Sequence, residues 1–96
     1  MGMDATILEK LTTVIRHRQA NRPEGSYTTY LFEQGQDKIL KKLGEETTEV
    51  VIASKNLDKG PLVYEMADLV YHLTVLMAYH ELSWEDIFTE LEARFK

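Results

Sequence analysis

Residues 61–80, PLVYEMADLVYHLTVLMAYH, place apolar side chains at Leu62, Val63, Met66, Leu69, Val70, Leu73, Leu76 and Met77. Spacings of three and four return to one face of a helix, whereas a strand would send alternate residues to opposite faces. Tyr71, Val75 and Tyr79 join Val63 in carrying the apolar surface more than halfway round the cylinder. That is wider than the stripe of a helix with its back to water. A chain of 96 residues buries only roughly 60–65% of the surface its unfolded form exposes, too little to cover such a helix alone. The expected fold is therefore all-α, either a four-helix bundle or a half-bundle completed by a second copy in a homodimer.

The other segments fit around this helix. From Asp4 to about Gln19, Ile7, Leu8, Leu11, Val14 and Ile15 repeat at helical spacing. NRPEGS then breaks the pattern with Pro23 and Gly25. SYTTYLFEQG supports two readings, a short helix capped by Ser26 and ended by Gly35 or an extended segment; one or two helical turns are expected. A second long helix is expected from about Asp37 to Asn56, with Ile39, Leu40, Leu43, Val50 and Val51 on its apolar face. Ser83 and Asp86 form a capping-box signature that opens a last helix through Ile87, Leu91 and Phe95. With no repeat, linker or low-complexity tract, residues 1–96 read as one domain.

Charge and composition narrow the function. The net charge of −5 argues against nucleic acid or an anionic membrane as partner. No apolar run approaches a membrane span and no secretory leader pattern opens the chain, so a cytoplasmic protein is expected. Cysteine is absent, so thiolate catalysis and Cys-ligated zinc are excluded and any metal must sit on oxygen or imidazole.

The acidic residues are not scattered. In DKILKKLGEETTEVV, Lys38, Lys42, Glu45, Glu46 and Glu49 share about one third of the second long helix at ~100° per residue. Glu65, Asp68 and His72 share one side of the next helix, and two such stripes joined by a short turn face each other in an antiparallel pair. Carboxylates brought within ~4–6 Å raise one another's pKa unless a cation compensates. Oxygen-only ligation favours a hard ion, Mg²⁺ with Mn²⁺ as a substitute, which bridges readily to phosphates. Taken singly, EETTE is also an ordinary solvated helix face paired to Lys41 or Lys42. Glu65 and Asp68 interrupt an otherwise apolar segment and shift the balance toward a metal site.

The series Glu45-Glu46-x-x-Glu49 followed by Glu65-x-x-Asp68 resembles the metal-binding signature of the MazG-type all-α nucleoside triphosphate pyrophosphatases. Within that superfamily, SYTTYLF, GQDKILKKLGEETTEVVIA and YEMADLVYHLTVLM look like the phosphoribosyl-ATP pyrophosphatase family of histidine biosynthesis, over about residues 26–94. No partner cyclohydrolase segment accompanies them, so the stand-alone form is expected. The resemblance implies Mg²⁺-dependent hydrolysis of phosphoribosyl-ATP to phosphoribosyl-AMP and pyrophosphate. Glu45, Glu46, Glu49, Glu65 and Asp68 would hold the metal, and Glu46 or Glu49 would accept the proton of the attacking water.

Around that set, Lys38, Lys41 and Lys42 are candidates for phosphate contact, set against a reading as plain helix surface. Ser26, Tyr27 and Thr28 are candidates for phosphate, ribose or base, with a structural tyrosine the other reading. His72 is expected either to hydrogen-bond a ligating carboxylate from behind or to be a satisfied core histidine. Gly44, inside a helix, suggests a close approach or a kink. The competing functions are a housekeeping nucleotide pyrophosphatase using the same metal site and a non-catalytic helical interaction module.

Overall fold

The computed structural model describes residues 6–96. The expected helix start at Asp4 lies outside the described residues. Five helices follow one another: α1 (Thr6–Asn21), α2 (Tyr27–Gln34), α3 (Gln36–Ala53), α4 (Lys59–Tyr79) and α5 (Trp84–Ala93). No strand occurs among the described residues.

Local chemistry sets the boundaries. The Asn21–Ser26 link begins with Arg22 in the left-handed region at φ 49°, its amide donating to the Arg18 carbonyl at 2.8 Å. Ser26 then caps α2, its hydroxyl accepting from the Thr29 amide at 3.2 Å. The ambiguous SYTTYLFEQG segment is thus helical for two turns. Gly35 both ends α2 and opens α3 at φ 92°, ψ −178°, a conformation open in practice to glycine alone. Asp58 caps α4 through the Gly60 amide at 3.0 Å, and the Asp86 carboxylate accepts from the Ser83 amide at 2.9 Å, as the capping-box signature predicts.

The core gathers Ile15, Leu31, Phe32, Ile39, Val75 and Ala78, with Leu11, Tyr71 and Leu76 packed against it. The α3–α4 contact is the most extensive in the molecule. A turn of a few residues makes those two helices an antiparallel hairpin. α5 buries none of its residues and is tethered by the Trp84 indole N–H, which donates to Thr74 Oγ1 at 3.0 Å.

One sequence expectation is corrected and one is narrowed. Leu40 and Val51, assigned to the apolar face of α3, are 44% and 58% exposed, while Ile39 beside Leu40 is fully buried. Gly44 has nothing within 4 Å of where a Cβ would stand, so no neighbouring helix of the protomer requires it.

Candidate active site

Antiparallel packing turns the 45–49 stripe of α3 toward the 65–72 stripe of α4. Glu46, Asp68 and His72 each bring one ligand-capable atom within 4.8 Å of the others. The two carboxylates are half-buried and the imidazole is buried. Burial first, and then the charge of Asp68, hold the Glu46 carboxyl above the ordinary glutamate range, with Glu65 adding to the effect and His72 opposing it.

The remaining predicted metal residues surround this trio rather than joining it. Glu65 is half-buried and near enough to act on Glu46 electrostatically. Glu49 is exposed. Glu45 is exposed and its Oε1 lies 3.1 Å from Lys42 Nζ, whose ammonium holds that carboxyl below its usual range. The lysine responds in kind: Glu45, and after it Tyr27, raise the Lys42 ammonium above its ordinary value. Lys41 is exposed and adds to the pull on Glu45. Lys38 lies over the Tyr30 ring, 5.9 Å from its centroid.

His72 has both ring nitrogens engaged. Nδ1 donates to the main-chain carbonyl of Asp68 at 2.8 Å, because a carbonyl can only accept. The Tyr27 hydroxyl lies 3.0 Å from Nε2 and donates to it when the ring carries its proton on Nδ1 alone. Of the two readings of His72, the buried ring with both nitrogens partnered fits the satisfied core histidine. Burial raises the Tyr27 phenol above its usual value, with Lys42 opposing.

The Ser26–Thr28 segment divides in role. Ser26 Oγ is occupied as the α2 cap. Thr28 is 1% exposed and its hydroxyl shares a short hydrogen bond with the Tyr71 hydroxyl. Both hydroxyls help to fasten α2 in place. Tyr27, 43% exposed, remains at the surface. Its ring lies between those of Tyr30 and Tyr71, with centroids 6.1 and 6.2 Å away and small interplanar angles. Tyr30 and Tyr71 were not singled out from the sequence. The signal for Tyr30 was its three-residue spacing from Tyr27, which sets both on one side of a helix.

Carboxylates presented by two antiparallel helices beside a lysine and a phenol form a candidate cation site on an all-α protein. The family model described as phosphoribosyl-ATP pyrophosphohydrolase matches residues 8–95. The chain is 60% identical over 88 residues to a phosphoribosyl-ATP pyrophosphatase of Pelotomaculum thermopropionicum, covering 92% of this chain and 90% of that protein. It is 53% identical over 90 residues to the corresponding protein of Clostridium novyi, covering 94% and 82%. It is also 59% identical over 90 residues to the histidine biosynthesis bifunctional protein HisIE of Caldanaerobacter subterraneus subsp. tengcongensis, spanning 94% of this chain and 44% of that longer protein. The chain belongs to the phosphoribosyl-ATP pyrophosphohydrolase family and is a hydrolase of that type.

Proposed function

We propose that this protein hydrolyses phosphoribosyl-ATP to phosphoribosyl-AMP and pyrophosphate in histidine biosynthesis, using a divalent cation held between α3 and α4. The observation that supports the reading most is the convergence of Glu46 and Asp68 across the helix pair, beside His72. Two half-buried carboxylates, one of them held above its ordinary pKa, form a site that gains when a cation takes up their charge. The donor set is hard, which favours Mg²⁺ and admits Mn²⁺. Glu46 and Asp68 would hold the ion, with Glu65 and Glu49 within the same stripes and Glu45 at the rim; when bound, it supplies charge neutralisation and polarisation of phosphoryl oxygens.

The chain's own groups account for the rest. Lys42 stands at the mouth of the cluster as a point charge for phosphate oxygens, released from Glu45 when it takes them up. A water attacks phosphorus, the α–β phosphoanhydride breaks, pyrophosphate leaves, and a carboxylate accepts the water's proton. Glu46 or Glu49 is the candidate for that role, whichever is not fully engaged by the ion. His72 acts as a positioning residue that fixes Tyr27 beside the cluster.

The same reading includes a homodimer. Val51 and Ile52 of α3 and Val63, Tyr64 and Met66 of α4 are all more than half exposed at one end of the hairpin. They form an apolar face of the kind a second copy covers.

The test is pyrophosphate release from phosphoribosyl-ATP, with dATP, dUTP and dCTP alongside, each with Mg²⁺ and with EDTA. Mg²⁺-dependent turnover of phosphoribosyl-ATP alone, lost in Glu46→Gln, is expected. Turnover of the other nucleotides instead would move the function to nucleotide housekeeping, and no turnover would leave a non-catalytic helical module.

A further inference from the structure

A concavity of about 390 Å³ is lined by Arg22, Glu24, Ser26, Tyr27, Tyr30 and Glu33 among others. Tyr27 belongs to both places. Its hydroxyl reaches His72 at the carboxylate cluster, while its exposed ring edge and that of Tyr30 form the aromatic side of the cleft.

The charges of this cleft are unusual in combination. Arg22 donates from Nε to the Gln19 carbonyl at 3.0 Å, which pins the guanidinium at the end of α1 and leaves its terminal nitrogens uncommitted. The two ion pairs among the described residues are Lys42–Glu45 and Arg94–Glu90, so neither Glu24 nor Glu33 pairs with Arg22 although both line the same cleft. A simple anion site would not set two carboxylates beside its arginine, and a cation site would not include the arginine. A ligand that carries phosphate, a sugar diol and a heterocycle together meets all three: guanidinium to phosphate as a fork, carboxylate accepting from ribose hydroxyls, aromatic edge against the base.

We infer that this cleft is the subsite for the phosphoribosyl arm of the substrate, with Arg22 holding its 5′-phosphate and Glu24 or Glu33 its ribose hydroxyls. The inference rests on the pyrophosphatase reading above. Phosphoribosyl-ATP bears its second ribose 5-phosphate on the adenine, at the opposite end from the triphosphate. A molecule whose triphosphate lies at Glu46 and Asp68 and whose base lies along Tyr27 directs that arm into the cleft. Arg22 is then the residue that separates this substrate from ATP, which has the same triphosphate and lacks the arm.

The experiment compares wild type with Arg22→Gln and Arg22→Lys, using steady-state kinetics on phosphoribosyl-ATP and calorimetric binding of phosphoribosyl-AMP and AMP. The backbone of Arg22 is in the left-handed region, and glutamine and lysine occupy it at similar cost, so both variants retain the fold, checked by circular dichroism. A charge-assisted phosphate contact predicts that Arg22→Gln raises KM and weakens phosphoribosyl-AMP about 10–100-fold, with kcat changed far less. AMP binding stays as in wild type, and Arg22→Lys recovers part of the loss. Unchanged phosphoribosyl-AMP affinity in Arg22→Gln, or an equal fall for AMP, overturns the subsite while leaving the pyrophosphatase intact. Absence of phosphoribosyl-ATP turnover in wild type overturns both.

Discussion

The hydroxyl of Tyr27 donates to Nε2 of His72 across 3.0 Å, joining two residues 45 positions apart and tying the first turn of α2 to the middle of α4. Because Nδ1 is spent on the Asp68 carbonyl, a neutral imidazole here has one tautomer, and the phenol's proton then points to Nε2. The phenol oxygen therefore faces the site as an acceptor.

Removing that donor is expected to cost stability. Tyr27→Phe keeps the ring between Tyr30 and Tyr71 but leaves Nε2 of a buried histidine without a partner. An unsatisfied buried acceptor costs about 1–3 kcal/mol, so the urea midpoint of Tyr27→Phe should fall by a corresponding amount with its slope unchanged. A midpoint within error of wild type would mean that water replaces the hydroxyl and that His72 does not depend on Tyr27.

Glu46 predicts the opposite sign. Its carboxyl is held above the ordinary value of 4.5 by burial and by Asp68. A folded-state pKa above the unfolded one contributes stability at low pH, and this is lost as pH rises through the folded value. At neutral pH, in the absence of a divalent cation, the ionised Glu46 therefore works against folding. Glu46→Gln should melt higher than wild type in EDTA at pH 7, with the difference shrinking as pH falls toward the glutamate range. Mg²⁺ should raise the melting temperature of wild type and leave that of Glu46→Gln nearly unmoved. A variant less stable than wild type in EDTA would show that Glu46 is held by favourable contacts rather than strained.

These two predictions separate what was legible in the sequence from what was not. Periodicity located α1, α3, α4 and α5, and capping chemistry found Ser83 and Asp86, because both depend on neighbours in the chain. The acidic stripes were legible for the same reason. Which member of each stripe reaches across was not: Glu45 and Glu46 are adjacent and ~100° apart on the helix, and only the position of α4 selects Glu46 as the inward one. The exposure of Leu40 and Val51 within one chain was illegible on the same ground, since a helical wheel gives a face its width but not its partner. The Tyr27–His72 bond and the Thr28–Tyr71 bond join distant segments, and nothing local encodes them.

Gly44 gives a local test with a long-range meaning. No atom stands within 4 Å of a Cβ built there, and its helical neighbours do not require a glycine. Gly44→Ala should therefore stabilise the protein by about 1 kcal/mol, the ordinary helix-interior difference, read as a higher denaturation midpoint. If stability rises while KM for phosphoribosyl-ATP also rises, the glycine is kept open for substrate beside Lys42 and Glu45. If stability falls instead, a partner helix occupies that space in solution.

The exposed end of the α3–α4 hairpin carries the last expectation. Val63 and Tyr64 are 66% and 67% exposed on a helix whose apolar surface runs past what the protomer covers. Burying a valine side chain is worth roughly 1.5–3 kcal/mol, and a charge brought into the same interface costs more than the valine gained. Val63→Glu should therefore shift the protein from dimer to monomer in sedimentation equilibrium at micromolar concentration. Its own packing loses nothing, because Val63 touches little within one chain, so helical content of the monomer should persist at low temperature. Val63 lies close to Glu65 in sequence, and a dimer that orders this end of α4 would also steady the acidic stripe. Loss of the dimer should then lower kcat/KM as well, and a Val63→Glu variant that remains dimeric would place the shared interface on another face of the molecule.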